Sequence, residues 1–255
     1  MAALPLHAAG HHRDTTAGTT APRTVPDRVV SSYTATARIL GYARQAPPPA
    51  PDFARDSTPL IVGLPDTPDA DELPGVRDEV HELIRLMPAS AVLDGPAATC
   101  NRVLSALTMH PVAHFACHAV TGTRNDPYST RLVLADDATR PLTISAISRA
   151  DISRADLAYL SACNTANTDD RDETVHITSA FQLAGYRNVI GTLWSVNDRT
   201  AYRIAAAFYA QLTGDGDHAP AIDGSALALH HAVRRLRAKN PGFPVQWTAH
   251  VHVGV

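Results

Sequence analysis

Leu157 to Leu160 (LAYL) form a short apolar run that stops abruptly. Ser161 and Ala162 follow, then Cys163, then polar residues. A run of this length, closed off by polar chain, suits a buried strand better than a helix. In an open α/β sheet, chemistry gathers where strands end at their carboxyl edges. The stretch therefore presents Cys163 at a strand end, against a loop. A second run, Val112 to His118 (VAHFACH), has the same character and ends in a histidine. A thiol and an imidazole on neighbouring strand ends are the pattern around which the rest of the chain is read.

The remaining periodic segments supply the sheet and its cover. Leu60 to Leu64 (LIVGL) reads as a buried parallel strand. After an acidic loop at Pro65–Pro74, apolar residues at Val76, Val80, Leu83, Ile84 and Met87 give one face at helical period. Ala91–Leu93 is a short strand, and Thr99 can cap a helix running to Met109. The Val112–His118 strand follows. Strand, helix, strand, helix, strand at these spacings predicts a largely parallel sheet covered by helices.

Further along, Arg131–Ala135 is a short strand, and Leu142–Ile147 is apolar enough for a strand or a short helix. Past Cys163 come an acidic loop over 164–172, a helix from Glu173 to Leu183, and a buried strand at Asn188–Leu193. Helices are expected over Asp198–Leu212 and Ser225–Lys239, then a last strand over Val245–Val253. Upstream, Val29–Tyr33 reads as an edge strand and Thr36–Gln45 as a helix ended by Pro47–Pro49. Met1 to Arg28 is rich in Ala, Thr, His, Pro and Arg without periodicity, and is expected to be a disordered tail. Residues 29–255 then form one domain, of a length that supports a substantial core.

Composition closes off several functions. The formal charge is −3, from 22 basic and 25 acidic residues, so no basic field points to nucleic acid. No apolar stretch approaches membrane-spanning length. No basic region followed by an apolar run opens the chain, so no signal peptide is expected and the cytoplasm is the expected compartment. Three cysteines, Cys100, Cys117 and Cys163, do not make a disulfide framework, and a reducing compartment would keep a reactive thiol free. His110, His114 and His118 recur every four residues, but on a strand-like segment broken by Pro111, which argues against a metal site. Neither a G-x-S-x-G elbow nor a Gly-rich phosphate loop is present. No cofactor is therefore expected, and an unrelated α/β hydrolase or nucleotide-binding domain is disfavoured.

A deprotonated thiol is a strong nucleophile, and an adjacent imidazole can take its proton and later protonate a leaving amine. Backbone N–H groups of Cys163 and Ala119, at strand ends, could hold the oxygen of a tetrahedral intermediate. A backbone carbonyl could orient His118, since no side chain is an evident partner. The bland alternative is that Cys163 is a buried, inert cysteine and His118 a strand-end histidine bonded to a loop carbonyl.

Several motifs together resemble the CHAT domain family, related to caspases and separases. HFACH at 114–118 resembles its histidine strand, LSACNTA at 160–166 its cysteine strand, and AFQLAGYRNVIGTLWSVND at 180–198 the segment after it. PLIVGLPD, LPGVRDEVHELIRLMP, FYAQL at 208–212 and QWTAHVHVG at 246–254 match in the same order. The resemblance implies a caspase-like three-layer α/β sandwich and a cysteine peptidase acting on a protein or peptide substrate. It assigns His118 as base and Cys163 as nucleophile. It sets Asp198 at an acidic position that in separases lines the pocket for a basic residue. Trp194 is expected to pack against the sheet or to form one wall of the groove, and Ser161, two residues before Cys163, to line the pocket floor. Asp198 serves equally well as a helix N-cap.

The sequence departs from the family at Ala119, usually glycine. If that position needs a positive φ, alanine costs about 1 kcal/mol. The segment DDRDETVH at 169–176 lacks the usual glycines. These departures leave open a second reading, a caspase-like interaction scaffold without turnover. The helical repeats that often precede such domains are missing here, so a recruiting or activating protein is expected on another chain.

Overall fold

A computed structural model describes residues 4–12, 24–34, 36–45, 58–67, 70–120, 122, 126, 129–150, 152, 155–161, 163–164 and 173–255, with the backbone alone at 42, 163–164 and 173–176. The loop expected at 164–172 lies outside these residues from 165 onward.

The apolar runs pair into a six-stranded sheet. Its strands are β1 (Leu60–Gly63), β2 (Ala91–Asp94), β3 (Val112–Ala116), β7 (Leu157–Leu160), β9 (Asn188–Thr192) and β10 (His250–Gly254). Their spatial order is β10-β9-β7-β3-β1-β2, and every pairing is parallel except β9 with β10. A second, four-stranded sheet is ordered β6-β5-β4-β8. It is built from β4 (His118–Val120), β5 (Arg131–Leu132), β6 (Leu142–Thr143) and β8 (Cys163–Asn164).

Successive side chains of a strand point to opposite faces, and both faces of the main sheet are covered. Leu60 and Val62, Ala113 and Phe115, Ala158 and Leu160 enter one core cluster. Helices α3 (Cys100–Leu107), α4 (Ile144–Arg149) and α5 (Glu173–Ala184) contribute to the same layer. Ile61, Val112, Leu157, Tyr159 and Ile190 face the other cluster, under α2 (Pro74–Leu86), α6 (Asp198–Thr213) and α7 (Ser225–Lys239). The result is helix, sheet, helix. Each fully buried large side chain contributes about 1.5–3 kcal/mol. Helix α2 crosses β1 so closely that a Cβ on Gly63 would sit 2.6 Å from Val80 Cγ2.

Some boundaries differ from the sequence reading. The Val112–His118 strand is interrupted at the buried Cys117, so His118 opens β4 instead of ending β3. The ambiguous Leu142–Ile147 segment is both strand and helix: β6, then α4 with Thr143 as its N-cap. The strand expected at Val245–Val253 is a helical turn, α8 (Pro244–Trp247), followed by β10. Pro244 explains the turn, because a fixed φ suits the first helical position. The edge strand expected at Val29–Tyr33 reduces to one bridge, Tyr33 with Val253. Helix α1 spans Ala37–Gln45. Residues 4–12 and 24–28 carry two 3-10 turns, Leu6–Ala8 and Val25–Asp27. The Arg237 guanidinium of α7 donates to both Asp27 oxygens at 3.0 and 2.9 Å. Among the described residues no helix is long and apolar enough to cross a membrane, and no three His, Cys, Asp or Glu residues cluster as metal ligands would.

Candidate active site

The two sheets share a register. Val112 pairs with Leu157 and Phe115 with Leu160, and beyond the interruption His118 pairs with Cys163 and Ala119 with Asn164. The offset is 45 positions throughout (112 with 157, 118 with 163). The parallel pairing that builds the core thus continues past the strand ends and sets His118 beside Cys163. Paired strands lie about 4.8 Å apart.

The His118 side chain is 1% exposed, and its Nε2 stands 2.6 Å from the Asp71 carbonyl oxygen. A carbonyl only accepts, so this contact puts the ring proton on Nε2 and leaves the lone pair on Nδ1. Nδ1 has no hydrogen-bond partner among the described residues. The loop at 70–73, just before α2, therefore fixes both the tautomer and the tilt of the ring. Nothing in the sequence marks this partner, since a backbone carbonyl carries no residue signature.

Ala119 sits in an extended strand, paired with Leu132 as well as Asn164. The sole non-glycine residue with positive φ among the described residues is Asp215. Position 119 therefore makes no demand that only glycine could meet, and alanine is unstrained there.

Ser161 is 6% exposed, and its hydroxyl donates to Glu79 Oε2 at 3.1 Å, across to α2. Glu79 Oε1 stands 3.0 Å from His114 Nε2 on β3, and both side chains are almost wholly buried. That contact has ion-pair distance without hydrogen-bond alignment, as both atoms lack a hydrogen-bond partner among the described residues. The His114 ring stacks on Tyr159, centroids 4.9 Å apart, with Tyr209 edge-on at 5.5 Å. Burial, with the Glu79 charge nearby, pushes both phenols far above their ordinary pKa. A polar network thus underlies the strand ends. The sequence does carry a signal for it: Glu79 falls on the apolar stripe of its helix, three positions after Val76 and four before Leu83.

Asp198 is half-buried. Its Oδ2 accepts the Gly75 N–H at 2.8 Å, and its Oδ1 accepts the Arg199 N–H at 2.7 Å. It binds the first turn of α2, where Pro74 and Gly75 open the helix without a side-chain cap. A Cβ on Gly75 would lie 2.8 Å from Asp198 Oδ2, so the contact needs glycine. The N-cap of α6 is Asn197. Trp194 follows β9, packs partly on the core, and donates from Nε1 to the Val245 carbonyl at 2.9 Å. The structure thus brings His118, Ala119 and Cys163 onto adjoining strands, turns Ser161 toward Glu79, and ties Asp198 to α2.

Cys100 and Cys117 are buried and form no disulfide. Burial raises the Cys100 thiol above its ordinary pKa, and the nearby Asp136 carboxylate adds to this.

Among solved structures, the chain is similar to the Arg specific cysteine proteinase gingipain R. The TM-score is 0.52 at 10% identity, covering 78% of this chain and 48% of that one. The complex of the pro- and mature domains of RgpB from Porphyromonas gingivalis aligns with a TM-score of 0.48 at 11% identity, covering 80% of this chain and 51% of that one. The chain spans about half the length of these structures. No curated protein matches the sequence. The architecture is the caspase-like three-layer α/β sandwich with a mostly parallel central sheet. The profile of the CHAT domain matches residues 1–255, and the chain belongs to that family.

Proposed function

We propose that this CHAT domain is a cysteine endopeptidase that hydrolyses peptide bonds of a protein substrate through Cys163 and His118. The observation that carries the reading is the His118–Cys163 register pair, together with an imidazole whose Nε2 meets the Asp71 carbonyl and whose Nδ1 has no hydrogen-bond partner among the described residues.

In this reading Nδ1 of His118 takes the thiol proton of Cys163, and the thiolate attacks the substrate carbonyl carbon. The oxygen of the tetrahedral intermediate takes a hydrogen bond from the Cys163 backbone N–H. Collapse breaks the C–N bond, and the imidazolium returns its proton to the departing amine. Water then attacks the thioester, with Nδ1 accepting its proton, and releases the acid and the free thiol. The Asp71 carbonyl positions the ring throughout and stabilises the imidazolium, in place of a third side chain.

Replacing Cys163 by alanine removes one small atom group and is expected to reduce cleavage of a protein or peptide substrate to background while the circular dichroism spectrum stays unchanged. Retained cleavage by Cys163→Ala would leave only the reading of a caspase-like interaction scaffold.

A further inference from the structure

The working groups of the proposed site come from three elements, and one side chain beneath the site joins them. Cys163 is delivered by the chain that leaves β7, and His118 by the chain that leaves β3. The Asp71 carbonyl comes from the loop that leads into α2. Glu79 lies on α2, eight residues after Asp71. Its Oε2 accepts the Ser161 hydroxyl at 3.1 Å, two residues before Cys163. Its Oε1 stands 3.0 Å from Nε2 of His114, four residues before His118.

These contacts fall where the backbone ladder lapses. Pairing of β3 with β7 ends at Phe115 with Leu160 and resumes, as β4 with β8, at His118 with Cys163. Ser161 stands at the crossing from the large sheet to the small one, its N–H donating to the Phe115 carbonyl at 2.8 Å. A shift at this crossing moves the thiol relative to the imidazole. A misplacement of about 1 Å at reacting groups can cost roughly a hundredfold in rate.

Stability alone does not account for a carboxylate at this place. Apolar residues of similar volume often serve a core as well as a buried ionic group, or better. Around Glu79, moreover, its own Oε1, both ring nitrogens of His114 and the hydroxyls of Tyr159 and Tyr209 have no hydrogen-bond partner among the described residues. A polar network left partly unsatisfied is costly in a low-dielectric interior. Local rules of core building are broken in this way where function requires it.

We propose that Glu79 is a positioning residue for the Cys163–His118 pair. Through Ser161 and His114 its carboxylate fixes the two strand ends against each other and against α2. The thiol, the imidazole and the Asp71 carbonyl then keep one geometry. This rests on the endopeptidase reading and adds a residue that acts without touching substrate. Its contribution falls on kcat and leaves KM, since it concerns the geometry of the reacting groups.

The test measures cleavage of a fluorogenic peptide by Glu79→Met, Ser161→Ala and the double variant. Glu79→Met keeps the length of the side chain and removes its oxygens. It is expected to lower kcat roughly ten- to hundredfold with KM within about twofold. Glu79→Gln, which retains an acceptor for Ser161, is expected to restore most of the rate. Ser161→Ala removes one oxygen and is expected to lower kcat in the same direction. The double variant leaves no Ser161 hydroxyl unpaired, so it is expected to melt close to the wild type. Its kcat is expected to be no lower than that of Glu79→Met, because the two residues act as a unit. A purely structural glutamate would not combine a stable fold with slow chemistry. Unchanged kcat in Glu79→Met or Ser161→Ala, or losses that multiply in the double variant, overturn the proposal and leave the endopeptidase reading standing.

If the wild type cleaves no peptide, the endopeptidase reading fails, and alkylation of Cys163 by iodoacetamide, followed by mass mapping, decides about Glu79. A rate at least about fivefold slower in Glu79→Met than in the wild type supports the positioning role. Equal rates overturn it.

Discussion

Glu79 is the most deeply buried carboxylate among the described residues, 2% exposed between Ser161 and His114. Buried charge is tolerated where partners satisfy it, and removing one partner of such a set is far costlier than never having built it. Glu79→Ala strands the Ser161 hydroxyl and removes the carboxylate that faces the His114 ring. Urea denaturation of this variant is expected to show a loss of about 3–5 kcal/mol, whereas Glu79→Gln, which keeps an acceptor for Ser161, should lose clearly less. A loss below about 1 kcal/mol for the alanine variant would mean that the three residues do not act as a unit. At this scale the sequence is uneven in what it discloses. His118 and Cys163 are visible because apolar runs break at them. Glu79 is visible as an acid on an apolar stripe. The Asp71 carbonyl is not, because the atom that matters is common to every residue, and only the fold selects it.

Between elements, the most informative joint is the start of α2. The helix begins at Pro74 with no side-chain cap of its own, and Asp198 from the start of α6 supplies the acceptor. A carboxylate there also complements the positive end of the helix dipole. Alanine ordinarily favours a helix over glycine by about 1 kcal/mol. Gly75→Ala is nevertheless expected to destabilise the protein, because its Cβ would meet Asp198 Oδ2. In an Asp198→Ala background the same change should cost less or become stabilising. A double-mutant cycle measures this, and additivity of the two changes would contradict the joint.

Elements that are continuous apolar runs, such as β1 and β7, or that recur at period 3.6, such as α2 and α6, are legible because burial alone dictates their pattern. Their edges are not. VAHFACH reads as one strand, yet pairing divides it at Cys117 between two sheets. The N-cap of α6 falls on Asn197, one residue before the aspartate that capping preference alone would choose equally well. Val245 and Trp247 suit a strand until Pro244 opens a helical turn. In each case a contact distant in sequence, or a backbone constraint, decides between locally equivalent choices.

For the whole molecule, closing the sheet edge at β10 buries histidines. Desolvation lowers the pKa of His250 and of His252 to about 4 from an ordinary 6.5. Neither His250 ring nitrogen has a hydrogen-bond partner among the described residues, while His252 Nε2 bonds Asn188 Oδ1 at 3.0 Å. The unfolded chain therefore binds more protons than the folded one between about pH 6.5 and 4. Stability is full above that window and falls as the pH is lowered through it, by up to about 3 kcal/mol for each ring. Melting temperatures should drop across pH 6.5 to 4, and His252→Asn should flatten the profile. A flat wild-type profile would contradict this.

The account as a whole depends on one register that carries the core pairing of β3 and β7 onward into β4 and β8, and so joins a thiol to an imidazole. The most direct test is labelling with a peptide electrophile ending in arginine, followed by mass mapping of all three cysteines. The account predicts modification of Cys163 alone, abolished by free peptide in excess and greatly slowed in His118→Ala, with Cys100 and Cys117 untouched in their buried sites. Labelling spread over Cys100 and Cys117, or labelling of Cys163 at the same rate with and without His118, would contradict it.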